Sequence, residues 1–210
     1  MDARRIINHE GYAPVSARAG FDVSAAEQLI SHLLDHLQPA PSPVFLHTLG
    51  IPGAGKSTHV AQLPRDNTLV LAFDSVMESI PGYQIDKQKS GIDQAFKAWE
   101  LCAREIGYET LFRALERRLN IIFDNSGSRP DHVTLLQHVK NDLGYRVSIA
   151  AFLIDEDLAV TRAKTRERFV PPEYIPERKK AIEELLPRYR ALADEYAEYH
   201  AVPGGCRRVI

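Results

Sequence analysis

The feature that most restricts the fold of this chain is an eight-residue segment between an apolar run and a helical one. Gly50–Ser57 reads G-I-P-G-A-G-K-S; it follows the apolar run Val44–Leu49, and Ser57–Leu63 is typical of the start of a helix. Glycines let main-chain amides turn towards phosphate oxygens, because no side chain blocks the approach. A glycine-rich turn that ends in Lys-Ser, placed between a strand and a helix, predicts a phosphate-binding loop.

The residue types in this loop predict how it binds a nucleotide. Lys56 can bridge the β- and γ-phosphates, and the Ser57 hydroxyl can be a ligand of Mg²⁺. The helix that begins near Lys56 adds the positive end of its dipole. The alternative is a tight turn with no ligand. We expect the nucleotide to contact Gly50, Gly53, Ala54, Gly55, Lys56, Ser57 and Thr58.

Three more apolar runs predict the rest of a sheet. Thr68–Phe73, Asn120–Asp124 and Arg146–Leu153 are apolar on both faces, and helical patterns separate them. Strands of this kind are typical of a parallel sheet that is covered by helices on both sides. The segment from Glu177 to Tyr199 is predicted as one final helix, bent or split at Pro187. The fold class is therefore α/β.

The N-terminal part of the chain is predicted to be an appendage of this core. Ser24–Glu27 has the S-x-x-E form of a helix capping box, and the proline-rich connector Pro39–Pro43 follows the helix. We expect residues 1–40 to form an arm and a helix that packs on the core. Residues 41–210 are expected to form a single globular domain, since the chain length of 210 residues suits one core.

Composition excludes several classes of protein. The 26 Lys and Arg against 28 Asp and Glu give a net charge of −2, so a nucleic-acid partner is not expected. Two cysteines, Cys102 and Cys206, do not make a disulfide framework and indicate a reducing compartment. The N-terminus lacks the apolar segment of a secretory signal, and the apolar stretch Val147–Ile154 is too short to span a bilayer. A cytoplasmic protein without membrane contact is the expectation.

Asp74 is the candidate general base. It follows the second apolar run, 18 residues after Lys56. Strand ends in an open parallel sheet face the ligand crevice, so this carboxylate should point towards the phosphates. It could accept the proton of an acceptor hydroxyl as the γ-phosphoryl group departs. The alternative is a helix N-cap, a position that aspartate also favours.

Two other polar segments are candidates for the same edge of the sheet. Asp124–Arg129 follows the third strand, and its short polar side chains suit a hydroxylated ligand, with Arg129 available for a phosphate. Its alternative is a turn with a helix cap. Thr161–Phe169 is rich in arginine, and Arg162 and Arg166 share a helix face. Such arginines could neutralise charge during transfer, or form a solvated face.

Taken together, these segments resemble the zeta toxin family of phosphate-loop kinases over roughly Ser42 to Lys180. Ser42–Thr58 is similar to the first strand and loop of that family. Leu69–Met77 and Pro81–Tyr83 are similar to its second strand, catalytic aspartate and proline-aromatic element. Asn120–Arg129 is similar to its N-[IV]-[IV]-x-E-G-T segment, with Asp, Asn and Ser in place of Glu, Gly and Thr.

The resemblance implies a phosphate-loop kinase fold with an arginine-bearing helical lid. It implies transfer from ATP or GTP, with Mg²⁺, to a sugar hydroxyl such as that of UDP-N-acetylglucosamine, and a protein antitoxin or inhibitor as partner. The replacements at Asp124 and Asn125 reshape the wall that would hold this sugar. The catalytic residues implied are Lys56, Asp74, Arg166 and Arg178, and the acceptor-binding residues are Glu109, Asp124, Ser126 and Arg129.

Three functions therefore remain open at this stage. The first is a kinase that phosphorylates a small metabolite, a sugar or a nucleotide sugar. The second is a nucleoside or polynucleotide kinase, which shares the loop and the aspartate after the second strand. The third is a regulatory module that binds a nucleotide without transferring phosphate; Asp74 and the arginine run Thr161–Phe169 argue against it.

Overall fold

The computed structural model describes residues 3–7, 22–164, 174–202 and 205–210. These residues form nine helices and six strands, which are in chain order α1 (Ala3–Ile6), α2 (Val23–Leu34), β1 (Val44–Leu49), α3 (Lys56–Val60), β2 (Thr68–Leu71), α4 (Phe73–Glu78), α5 (Pro81–Ser90), α6 (Ile92–Glu116), β3 (Asn120–Asp124), α7 (Pro130–Asn141), β4 (Arg146–Leu153), α8 (Glu156–Lys164), α9 (Tyr174–Leu192), β5 (Glu195–Val202) and β6 (Gly205–Arg208).

The strands form one six-stranded sheet in the order β2-β3-β1-β4-β5-β6. The pairs β2–β3, β3–β1, β1–β4 and β4–β5 are parallel, and β6 returns antiparallel to β5. In β4, Ile149 and Ala151 pack in one apolar cluster, whereas Ala150 and Phe152 pack in another. Because neighbouring residues of a strand point to opposite faces, the sheet is buried on both sides. The predicted fold class is confirmed.

The sequence patterns located most strands but missed the last two. The bounds of β1, β3 and β4 agree with the predicted runs, whereas the single helix predicted over Glu177–Tyr199 is wrong. Helix α9 ends at Leu192, and β5 begins at Glu195. The sequence of β5, E-Y-A-E-Y-H-A-V, contains good helix formers, but its backbone pairs with the buried β4. Tertiary pairing therefore overrides local propensity.

Two local predictions at helices also need correction. The N-cap of α2 is Asp22, whose carboxylate accepts a hydrogen bond from the Ala25 amide at 3.1 Å, and not Ser24. Helix α9 continues through Pro187, so the expected split at this proline is wrong. Proline removes one amide donor from a helix, and α9 keeps its buried residues on both sides of this position, including Ile182 and Tyr189.

The N-terminal elements pack on one side of the core. Ala3, Ile6 and Ile7, together with Ile30 and Leu34 of α2, belong to the larger apolar cluster, which also contains the buried face of α6. Among the residues described, no helix is both long and apolar enough to cross a membrane.

Candidate active site

A cleft of about 700 Å³ lies at the carboxyl ends of β1, β2 and β3. It collects residues from the phosphate loop, from the loops after β2 and β3, and from helices α6 and α9. The residues that line it are Pro52, Lys56, Ser57, Ala72, Phe73, Asp74, Met77, Phe96, Glu100, Ala103, Arg104, Tyr108, Asp124, Asn125, Ser126, Ser128, Arg129, Pro130, Tyr174, Glu177, Arg178 and Ala181.

Neighbouring backbone leaves no room for a side chain at two glycines of the phosphate loop. Gly50 has φ +145° and Gly53 has φ +89°, a region that disfavours other residues. A Cβ at Gly50 would lie 2.6 Å from the Phe152 carbonyl oxygen. The ammonium group of Lys56 donates to the carbonyl oxygens of Gly50, at 2.7 Å, and Ile51, at 3.2 Å. The loop thus curls around its own lysine, at the mouth of the cleft.

Asp124 links the phosphate loop to the neighbouring strand. Its carboxylate accepts hydrogen bonds from Ser57 Oγ at 2.8 Å and from Thr48 Oγ1 at 2.9 Å. A serine hydroxyl and a carboxylate at this distance are hard oxygen ligands of the kind that Mg²⁺ prefers. Among the described residues, no group of three or more His, Cys, Asp or Glu side chains could hold a metal ion. The fit therefore rests on two protein oxygens, with phosphate oxygens and water to complete the shell.

Asp74 lies in the first turn of α4, three residues after the end of β2, because this strand ends at Leu71 and the predicted strand residue Phe73 begins the helix. The N-cap of this helix is Ala72, so the alternative that Asp74 caps the helix is wrong. The carboxylate is exposed and lines the cleft together with Lys56 and Arg178. Its position leaves the side chain facing the same space as the phosphate loop.

Arg178 of α9 lines the same cleft as Asp74. Its guanidinium lies over the ring of Tyr174, 4.7 Å from the ring centre. Burial lowers the pKa of Arg178, and the nearby Arg104 lowers it further, whereas Glu100 and Asp74 act in the opposite direction. Guanidinium remains the charged form at neutral pH, because the ordinary pKa of arginine is so high. The cleft therefore holds a half-buried cation and a carboxylate.

The turn after β3 forms one wall of the cleft. Ser126 Oγ and Ser128 Oγ are 2.9 Å apart, and the Gly127 carbonyl accepts a hydrogen bond at 3.0 Å from the hydroxyl of the buried Tyr189. Arg129 binds both carboxylate oxygens of Asp131, at 3.1 and 2.6 Å. The wall is thus fixed from behind by α9 and carries short hydroxyl groups on its cleft side.

Glu109 does not join this group. Its carboxylate accepts hydrogen bonds from Arg113 Nε at 2.9 Å and from Arg4 Nη2 at 3.1 Å, and it is not among the cleft residues. Glu100 of the same helix does line the cleft and pairs with Arg104 at 2.5 Å. The sequence reasoning missed Glu100 and Arg104. The helical spacing of Phe96, Glu100 and Ala103 could have indicated a shared face.

The arginine-rich segment is only partly described. Arg166 lies outside the described residues. Arg162 does not line the cleft; it donates to the carbonyl oxygens of Gly53, at 3.4 Å, and Val202, at 2.8 Å. It therefore ties the outer side of the phosphate loop to the end of β5.

A cluster of buried aromatic and histidine side chains supports the floor of the cleft. Tyr108 Oη and His132 Nε2 are 2.9 Å apart, and Nδ1 of the fully buried His47 is 3.2 Å from the Phe123 carbonyl. Burial lowers the pKa of His47 to about 4. At neutral pH this imidazole is therefore uncharged and packs as a core residue.

Comparison with known proteins identifies the family. The AAA domain family matches residues 45–191. No curated protein matches the sequence. A solved chain from the PezAT chromosomal toxin–antitoxin system of Streptococcus pneumoniae is 16% identical, with a TM-score of 0.64, and the match covers 86% of this chain and 78% of that chain.

Two other solved structures are less similar. Shikimate kinase from Bacteroides thetaiotaomicron is 17% identical with a TM-score of 0.44, over 74% of this chain and 86% of that chain. A chain of the Pnkp1/Rnl/Hen1 RNA repair complex is 18% identical with a TM-score of 0.48, over 70% of this chain and 46% of that chain. This chain belongs to the AAA domain family, and its phosphate-loop kinase-like fold confirms the resemblance to the zeta toxin family.

Proposed function

We propose that this protein is a kinase that transfers the γ-phosphoryl group of ATP or GTP to a hydroxyl of a small metabolite, a sugar or a nucleotide sugar such as UDP-N-acetylglucosamine. One observation carries this proposal: Lys56, Asp74 and Arg178 line a single cleft, although they come from three separate parts of the chain. A module that only binds a nucleotide has no need for both a carboxylate and a guanidinium in the cleft beside its phosphate loop.

The donor would be bound by the phosphate loop. Its amides and Lys56 would hold the β- and γ-phosphates. Ser57 and Asp124 would hold Mg²⁺, which supplies charge neutralisation on the phosphates when bound. The hydrogen bond of 2.8 Å between Ser57 and Asp124 supports this role for Asp124. We therefore propose Asp124 as a ligand of the metal and not as a residue that binds the acceptor. Thr48 would keep the Asp124 carboxylate in that orientation.

Asp74 would act as general base. It takes the proton of the acceptor hydroxyl, the hydroxyl oxygen forms a bond to the γ-phosphorus, and the bond from phosphorus to the β–γ bridging oxygen breaks. The products are a phosphate monoester and a nucleoside diphosphate. Arg178, together with Arg166 of the arginine-rich segment, would stabilise the charge that the three equatorial oxygens carry during transfer.

The acceptor would lie between the wall after β3 and helix α6. Ser126, Ser128 and Arg129 supply donors on one side, and Glu100 supplies a carboxylate on the other. Phe73, Phe96 and Tyr108 give an apolar floor for a ring. Glu109 has no part in this site because Arg4 and Arg113 bind it elsewhere. A protein inhibitor is a further proposed partner, since the PezAT match is to a toxin–antitoxin system.

The test is transfer from radiolabelled ATP to a small-molecule metabolite extract, with identification of the product by mass spectrometry. Asp74→Asn should lower the rate by 10²- to 10⁴-fold, the range for loss of a general base, and keep the affinity for ATP. Lys56→Ala should abolish transfer. Asp93→Asn is the matched control, because Asp93 is exposed in the first turn of α6 and away from the cleft.

Three outcomes are decisive. Full activity in Asp74→Asn would remove the base assignment. A labelled nucleoside or a labelled oligonucleotide end would favour the second kind of kinase. Tight ATP binding by the wild type with no labelled product from the extract would favour a regulatory module.

A further inference from the structure

Helix α6 presents a glutamate–arginine pair, Glu100 and Arg104, to the cleft. Neither side chain takes part in the proposed phosphoryl transfer step itself. Arg104 Nη2 donates to Glu100 Oε1 at 2.5 Å, and both side chains are largely buried, at 27% and 21% exposed. Both residues line the cleft. The pair therefore borders the cleft in which the acceptor would bind.

Arg104 is incompletely satisfied. A guanidinium carries five N–H donors in a planar fork. Within the part of the chain that the structure describes, Glu100 is its one hydrogen-bond partner, through one donor. The other arginine of α6 that pairs with a glutamate four residues earlier, Arg113, uses three donors on Glu27 and Glu109. The described residues therefore leave four donors of Arg104 for a ligand in the cleft.

A second guanidinium adjoins this one. Arg178 lies close enough that the charge of Arg104 helps to lower its pKa. Within the described residues Arg178 contacts the ring of Tyr174 and makes no hydrogen bond. The two guanidinium groups repel each other, and the carboxylates of Glu100 and Asp74 offset part of this repulsion. An anion held by the remaining donors of Arg104 would offset more of it and leave Arg178 for the transferred phosphoryl group.

We propose that Arg104 determines acceptor specificity: the acceptor is an alcohol that also bears a phosphate or carboxylate group, and this group binds the Arg104 guanidinium. The inference rests on the proposed kinase function and extends it to the class of acceptor. Planar, bidentate recognition of oxyanions is the property in which arginine exceeds lysine. Glu100 keeps the guanidinium oriented and remains able to accept a hydrogen bond from an acceptor hydroxyl.

The first experiment separates the metabolite extract on an anion-exchange resin. Wild-type protein with radiolabelled ATP should phosphorylate a component of the retained fraction and none of the flow-through. Passage of the retained fraction over titanium dioxide then distinguishes the two sources, since phosphate-bearing acceptors are held back and carboxylates pass. Transfer confined to the neutral flow-through would overturn the inference and leave the kinase proposal intact.

The variants test the residue itself. Arg104→Gln should raise the amount of the active fraction needed for half-saturation at least tenfold and change the affinity for ATP less than twofold. For Arg104→Lys, this half-saturating amount should lie between those of Arg104→Gln and the wild type. Lys97→Gln removes a positive charge from an exposed position of the same helix outside the cleft and should behave as the wild type. Equal half-saturation in Arg104→Gln and Lys97→Gln would refute the role of Arg104.

A binding measurement keeps the inference testable without turnover. Inorganic sulfate should raise the melting temperature of the protein loaded with Mg²⁺ and a non-hydrolysable ATP analogue, and the increase should be smaller in Arg104→Gln than in Lys97→Gln. Equal increases in the two variants would count against an anion site at Arg104. Absence of transfer from every fraction would instead refute the kinase proposal.

Discussion

Helix α6 carries two glutamate–arginine pairs of the same spacing in two different surroundings. Glu100–Arg104, in the middle of the helix, faces the cleft, whereas Glu109–Arg113 lies nearer the C-terminus of the helix, where Arg4 and Glu27 complete a closed network. The two glutamates are nine residues apart, which at 3.6 residues per turn places them on opposite sides of the helix. The same local motif thus serves two purposes, and its neighbours decide which.

The difference lies in how many donors and acceptors remain for a ligand. In the closed network, Arg4 and Arg113 each pair with two carboxylates, which come from Glu27, Glu109 and Glu116, so both guanidinium groups are neutralised within the protein. Such partly exposed pairs contribute little stability each, about 0–1 kcal/mol. In the pair that faces the cleft, the described residues use one donor of the Arg104 guanidinium, which binds Glu100. A pair with unused donors at the cleft indicates recognition of a ligand. A pair whose donors are occupied by Glu27 and Glu109 indicates that α1 and α2 are held on the core.

Among the substitutions that test this comparison of the two pairs, Glu100→Gln is expected to have the largest effect. Glu100→Gln removes a carboxylate from the acceptor side, and the loss of charge-assisted hydrogen bonds should lower kcat/KM for the acceptor on the order of 100-fold. Glu109→Gln is the matched change in the closed network and should leave transfer unchanged. Steady-state transfer assays with both variants check this. If Glu109→Gln were the variant that lost activity, the assignment of the two pairs would be reversed.

A second prediction concerns the core beneath the cleft, where His47 is buried without charge. The pKa of this histidine falls from 6.5 to about 4 on burial, so the unfolded chain binds the proton more tightly. Its contribution to stability is complete above pH 6.5 and is lost as the pH falls towards 4. Between pH 7 and pH 5 this one group should lower the free energy of unfolding by about 2 kcal/mol.

Urea unfolding at the two pH values measures this loss. His47→Phe keeps a ring to stack on Phe123, and its free energy of unfolding should fall by about 2 kcal/mol less than that of the wild type between pH 7 and pH 5. His32→Gln, at an exposed position of α2, should show the same fall as the wild type. An identical pH dependence in His47→Phe and the wild type would show that His47 is not the titrating group.

The smallest effect is expected behind the cleft wall, where the Tyr189 hydroxyl donates to the Gly127 carbonyl. Tyr189→Phe should lower the free energy of unfolding by about 1 kcal/mol, the value of one buried hydrogen bond, and raise the acceptor half-saturation a few fold because the turn is held less firmly. Tyr145→Phe is the control: the Tyr145 hydroxyl is buried with no partner in the described structure, so its removal should cost nothing. Equal free energies of unfolding for the two variants would show that the hydrogen bond from Tyr189 to Gly127 does not stabilise the protein.

Much of the architecture could be predicted because its signals are local. The bounds of β1, β3 and β4 agree with the apolar runs, since a strand buried on both faces must be apolar throughout. Strand β5 could not be predicted, because its helix-forming residues are held in a strand by pairing with β4. The same limit applies to Asp124, whose contact with Ser57 depends on the register of β3 beside β1.

The sequence by itself determined the phosphate loop, the parallel sheet, and the polar segments at the ends of the strands, because glycine geometry and burial on both faces restrict residue type locally. Only the tertiary structure decided which glutamate of α6 faces the cleft and that Arg104 stands beside Arg178. Helical periodicity places Glu100 and Glu109 on opposite faces, but it does not state which face lies against the core. That choice follows from the packing of α6 against α1, α2 and α4.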